Sequence, residues 1–95
     1  MDYKIVVTVD AQKELERYIQ YLIFEKGNLQ AARNVLDDFE NTKESLKRVA
    51  GSLKLCDHPR LRQLGYRRIN FLNHRYFMLY RVVDHVVCID NMVLK

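Results

Sequence analysis

The sequence predicts an α+β domain in which two helices cover one face of a four-stranded sheet. Three observations carry this. A short β-branched run, YKIVVTV (3–9), opens the chain. The apolar period then lengthens to that of a helix across residues 11–53. Three strand-like runs separated by short breaks fill residues 66–93.

The first run is rich in valine and isoleucine and reads as a paired strand. Asp10 then offers an N-cap carboxylate. Ala11, Leu15, Tyr18, Ile19, Leu22 and Ile23 form one stripe of an amphipathic helix. Tyr21 and Phe24 are expected to pack on the sheet beside Tyr18. Gly27 closes the helix in the left-handed conformation, and Asn28 caps the next one.

The second helix holds its stripe through Ala32, Val35, Leu36, Phe39, Leu46, Val49 and Leu53. Thr42 and Lys43 interrupt it with a more polar turn. So short a connection between Lys26 and Leu29 makes the pair an antiparallel αα-hairpin. Residues 54–65, with the only proline, read as a loop with at most one short turn.

The last three runs are 66–72, 74–83 and 85–93. Breaks at Asn73 and at Asp84–His85 make them an antiparallel meander. The place of the first strand in the sheet is not derivable from pattern. The helical hairpin covers one face, and no element is left for the other.

Composition bounds the function classes. Ninety-five residues make a single domain, with 48% hydrophobic and 29% charged residues. No apolar run is long enough to span a bilayer, and the N-terminus lacks signal-peptide character, which points to a cytoplasmic protein without a membrane role. Cys56 and Cys88 read as reduced thiols. Together with His58, His74 and His85 they match no metal-ligand spacing, so neither a metal nor another cofactor is expected. There is no phosphate loop and no Ser-His-Asp arrangement.

Charge is uneven. Residues 1–51 carry eight basic and nine acidic side chains, whereas 52–95 carry eight basic and three acidic. A polyanion or an acidic partner would meet the second half.

Strand alternation sorts the meander. Tyr76, Met78, Tyr80 and Val82 carry no charge and belong to the helix-packed core, with Ile69 and Phe71 beside them. Arg75, Phe77, Leu79 and Arg81 then lie on the open face with Arg68 and Asn70. Arg60 and Arg62 join them from the preceding loop. Arginines grip phosphates, and aromatic rings stack on unpaired bases. A Phe/Leu patch ringed by arginines is equally a docking site for a protein, or a homodimer interface. His74, at a strand start, has a titration range suited to general acid–base chemistry, although an exposed turn histidine is the simpler reading.

The element order, the run AQKELERYIQYL, the approach DHPRLRQLGYRRI and the strand pair YFMLYRVVDHVVCI resemble the RelE/ParE superfamily, toxins of bacterial type II toxin–antitoxin pairs. The resemblance covers nearly the whole chain. It implies a small cytosolic toxin wrapped by a cognate antitoxin, with Phe77 and Leu79 as the apolar contact. RelE-like members cleave mRNA on the ribosome and would use basic residues of the open face. ParE-like members poison DNA gyrase and lack those residues.

The nuclease pattern is poorly matched. Arg68 stands at its first basic position on the second strand. Asn70 stands where the pattern has lysine, and Phe77 where it has arginine. The C-terminal segment that would add further catalytic side chains is missing after Lys95, as in a chain shortened at its end. A RelE-like activity would therefore rest on Arg68, Arg75, Arg81 and His74. Whichever the target, nucleic acid or protein, Arg60, Arg62, Arg68, Asn70, Arg75 and Arg81 are the residues expected to bind it. A basic interaction module of the same fold, without toxicity, is the third reading.

Overall fold

The computed structural model describes residues 2–94. Lys95, on which the expectation of a shortened end rests, lies outside them.

β1 (Lys4–Val7) is shorter than the apolar run that encodes it, because Thr8 turns the chain into α1 (Val9–Gln20). Thr8, not Asp10, is the N-cap: its hydroxyl accepts from the Ala11 N–H at 3.2 Å. Asp10 sits in the first turn, where its charge meets the positive end of the helix.

α1 runs on into a π-helical segment, Tyr21–Glu25. The wider turn shifts the following side chains around the axis. Tyr18 stays against the core, but Tyr21 and Phe24 are exposed, Phe24 at 79%. The expected packing of those two rings on the sheet is thus corrected by a helix form that periodicity at 3.6 residues cannot register. Gly27 follows at φ +59°, and the Asn28 side chain accepts from the Ala31 N–H at 2.9 Å.

α2 (Leu29–Val49) is unbroken. Thr42 is fully buried, so the expected polar interruption does not occur. Leu36 is exposed instead, and Asp38 takes a core-facing position. Leu53 lies beyond the helix end but still packs on the core. α3 (Pro59–Gln63) is the single short turn of the following segment, with proline in its first turn, where a missing N–H costs nothing.

β2 (Arg67–Asn70), β3 (Phe77–Val83) and β4 (Val86–Val93) form the antiparallel meander. β1 joins it parallel to β4, giving the order β1-β4-β3-β2. Asp84, at φ 56°, makes the β3–β4 turn. The break expected at Asn73 widens to a six-residue loop between Asn70 and Phe77, which places Tyr76 just before β3.

The core forms between the sheet and the hairpin, from Leu15, Leu46, Met78, Tyr80, Val87 and Ile89. Tyr80 is fully buried, yet its hydroxyl donates to the Ala50 carbonyl at 2.8 Å. Burial pushes its pKa up to about 12, because the phenolate would lose its hydration. No helix among the described residues is long and apolar enough to cross a membrane.

Candidate functional site

Cross-strand register settles the second face of the sheet. Arg68 pairs with Leu79, and Asn70 pairs with Phe77. Their partners in sequence, Ile69 and Met78, pair with each other and are buried. Alternation therefore puts Arg68, Asn70, Phe77 and Leu79 together on the face away from the helices.

That face is not bare. Leu55 bridges to Arg67 at the edge of β2, and the Cys56 N–H donates to the Tyr66 carbonyl at 2.9 Å. Residues 53–61 thereby fold along the sheet and wall a groove of about 510 Å³. Its apolar lining is Leu55 and Leu61 from that wall and Phe77, Leu79 and Val93 from the sheet, with Arg68 beside them. The expectation that no element covers this face is corrected here: a segment without regular periodicity does so in part, held by backbone pairing.

Each expected basic residue has a distinct setting. The Arg68 guanidinium lies 3.7 Å from the centre of the Phe77 ring, and its Nε donates to Asn70 Oδ1 at 2.9 Å. Such cation–π stacking is worth about 0.5–1 kcal/mol at exposed sites. Arg68 thus covers the ring that was expected to lie open.

Arg81 is paired rather than free. Its Nε donates to Asp90 Oδ2 at 3.0 Å, and the Tyr66 hydroxyl donates to the same oxygen at 2.8 Å. The strand register shifts between Leu79 and Tyr80, which leaves Asp90 unpaired opposite them as a bulge residue. The hydrogen bond to Asp90 raises the Tyr66 pKa, and the same carboxylate raises that of Arg81.

Arg60 and Arg62 sit on α3, outside the groove lining. Arg62 donates through Nε to the Cys56 carbonyl at 3.1 Å and lies 3.7 Å from Asp57. The structure thus does not bring these two arginines beside Arg68. Arg67, which was not singled out, donates to the Leu53 carbonyl and ties the covering segment to the sheet.

The β2–β3 loop holds His74 and Arg75. Its anchor is Asp38 of α2, a residue that sequence reasoning missed. Asp38 is 2% exposed. Oδ1 accepts from the Leu72 N–H at 3.0 Å and Oδ2 from the Asn73 N–H at 3.0 Å. His74 Nδ1 lies 2.6 Å from Oδ2, and the Thr42 hydroxyl donates to Oδ1 at 3.5 Å. The signal was present: Asp38 falls three residues after Val35 and four before Thr42, on the buried stripe. The His74 ring also stacks on Tyr76 at 5.1 Å, with 6° between the planes. Tyr76 in turn shares a 2.6 Å hydroxyl contact with Tyr18. Desolvation, then that contact, pushes the Tyr76 pKa up to about 12.

Among the described residues no group of three or more His, Cys, Asp or Glu side chains is placed to hold a metal ion. Cys56 and Cys88 are not bonded to each other. The polar side chains lining the apolar groove are Lys54, Cys56, Asp57, His58, Arg68 and Asn70.

Comparison with known proteins bears on the fold and the family. Curated proteins yield no match. A solved structure described as the chromosomal ParDE TA system from P. aeruginosa superposes with a TM-score of 0.72 at 17% identity, over 95% of this chain and 92% of that one. At that identity the likeness speaks for the fold. The family model described as the ParE toxin of type II toxin–antitoxin system, parDE, matches residues 5–90. That match spans the strand, the helical hairpin and most of the meander, and the chain belongs to the ParE toxin family within the RelE/ParE superfamily.

Proposed function

We propose that this protein inhibits growth in the cytoplasm by binding DNA gyrase, and that a cognate antitoxin silences it by covering the groove around Phe77 and Leu79. The observation that carries the reading is the chemistry of the open face. Its floor is apolar, Asp90 occupies Arg81 and Tyr66, and Arg68 lies on Phe77. Strand cleavage needs a base, an acid and charge stabilisers converging on one phosphate. On this face Arg81 and Tyr66 share Asp90 and Arg68 lies on Phe77, an arrangement that does not converge on one phosphate. A groove with apolar floor and cationic rim suits a protein partner with apolar anchors and acidic flanks.

The test is a supercoiling assay run beside a translation assay with the mRNA monitored. Blocked supercoiling with intact mRNA is expected. Cleaved mRNA would sink the proposal. A second reading, a RelE-like ribosome-dependent endoribonuclease, is favoured by one feature: a carboxylate-bound histidine, His74 on Asp38, next to Arg75. The same pair of assays decides between them. Growth unaffected by expression would support a non-toxic interaction module.

Antitoxin docking has its own test. Leu79→Asp should weaken the complex by about tenfold or more, as loss of a central apolar anchor does. Phe77→Asp should do the same while keeping the fold, because the new carboxylate meets Arg68. Unchanged affinity in both variants would move the interface elsewhere. Sedimentation of the toxin alone would show whether the same patch pairs two copies as a homodimer.

A further inference from the structure

The paired strands β1 and β4 differ in length. β1 pairs Lys4–Val7 with Val86–Ile89, and the chain then leaves the sheet at Thr8 for α1. β4 runs on to Val93. Its last stretch therefore has β3 on one side and no strand on the other. A groove of about 510 Å³ lies along this end of β4, lined by Glu14, Arg17, Tyr18 and Tyr21 from the first helix and its π-helical extension and by Met92 and Leu94. We propose that this notch is a self-association surface, in which two copies of the chain pair their β4 ends antiparallel about a two-fold axis. It is separate from the choice of gyrase as target and from the groove at Phe77 and Leu79.

Side chains stand in for the missing strand, and they do so weakly. The Met92 N–H donates to Glu14 Oε1 at 3.4 Å, and the Thr8 hydroxyl donates to the Asp90 carbonyl at 3.5 Å. Ordinary bonds of these kinds measure about 2.7–3.2 Å for N–H···O and about 2.5–3.0 Å for O–H···O. The bond to Glu14 also shows that the Met92 N–H faces the free edge. A strand edge with free backbone groups is a template for another strand. A second β4, run antiparallel with Met92 opposite Met92, exchanges N–H and C=O at that residue and sets Asn91 opposite Val93. Asn91, Met92 and Val93 include neither lysine nor proline, the residues that commonly guard an edge.

Charge favours a second copy over an unrelated strand. Glu14 and Arg17 stand one helical turn apart on the groove wall, and neither forms an ion pair among the described residues. An isologous interface repeats every contact, so a two-fold axis gives each Glu14 the Arg17 of the other copy. The carboxylate gives up a long bond to Met92 and gains a guanidinium, while the added strand supplies the acceptor for Met92. A strongly acidic or strongly basic segment would instead set a like charge against one of the two.

The aromatic wall is already in place. Tyr18 and Tyr21 stack at 6.0 Å with 24° between their planes, and the Tyr18 hydroxyl is held by Tyr76. Side chains ordered in advance lower the entropy lost on association.

The experiment is sedimentation equilibrium of the whole chain, with hydrogen exchange read at the Met92 amide. A monomer–dimer equilibrium with a dissociation constant below about 1 mM is expected, and Met92 exchange should slow as the concentration rises. Arg17→Glu and Glu14→Arg, each checked for a folded amide spectrum, should raise the dissociation constant by about tenfold or more, because two attractions become two repulsions. An equimolar mixture of the two variants should associate again, since one copy then offers two cations and the other two anions. Leu79→Asp, on the open face, should leave the equilibrium unchanged. A wild-type chain that stays monomeric at about 1 mM would overturn the proposal and leave this edge to a strand of another protein. Dimers that persist in both charge variants, or variants that stay apart on mixing, would also overturn it. Loss of the dimer in Leu79→Asp would do the same and move the contact to the open face.

Discussion

Replacing Asp38 by alanine should destabilise the protein far more than an acid-to-alanine change on a helix surface. The carboxylate is 2% exposed and accepts from two backbone amides and from His74, all at 3.0 Å or less. Alanine leaves those three donors without a partner. A buried donor stripped of its acceptor costs about 1–3 kcal/mol, and these are only part-buried, so water recovers some of it. Roughly 1 kcal/mol per donor gives about 3 kcal/mol. A domain of this size has on the order of 5–14 kcal/mol in total. The melting temperature should fall by about 12–24 °C, at roughly 4–8 °C per kcal/mol. Asp38→Asn keeps one acceptor oxygen and should lose about half as much. Thr42→Val, which removes only the 3.5 Å contact, should cost less than about 1 kcal/mol. Urea titration by circular dichroism measures these values, and hydrogen exchange at the Leu72 and Asn73 amides reports the loop directly. An alanine variant within about 0.5 kcal/mol of the parent, the range of ordinary surface substitutions, would refute the clamp.

Other predictions follow from the same contacts. Gly27→Ala should cost about 1–2 kcal/mol, because φ is +59° with nothing within 4 Å to clash, and Gly27→Asn should cost less; denaturant unfolding distinguishes backbone strain from packing. Asp90→Ala should lower the Tyr66 pKa toward its usual value, since the bond to Asp90 is the largest cause of the shift, and should change stability by no more than about 1 kcal/mol; NMR titration of the Tyr66 ring tests it. Tyr80, raised to about 12 in the fold, keeps its proton while the unfolded chain releases it near 10. Its contribution is therefore complete below pH 10 and is lost as the pH rises toward 12. Stability should fall by roughly 2–3 kcal/mol across that window from this group, in unfolding curves against pH. Tyr80→Phe should flatten that part of the profile.

Local pattern was sufficient wherever a residue's environment follows from its near neighbours in the chain. Period-two alternation separated Met78 and Tyr80 from Phe77 and Leu79, and Gly27 with Asn28 marked the hairpin. The resemblance of the meander pointed to the superfamily for the same reason, since a strand pair preserves its sequence pattern. Even here the helix period misled at Tyr21 and Phe24, where a π turn changes the angle between successive side chains.

Contacts between distant parts of the chain were decided only in three dimensions. Pairing β1 with β4 brings together residues some 80 positions apart in sequence, a choice no local period encodes. The donors that make Asp38 a clamp come from a loop about 36 residues later in the chain. The bulge at Asp90 ties up Arg81 and Tyr66, and residues 53–61 wall the open face through backbone pairing that side-chain pattern does not reveal. The sequence by itself determined the elements, their faces and the kinship, because hydrophobic alternation is local. The tertiary structure decided which arginines are free to act, because a charge is spent or available according to the partner that folding sets beside it.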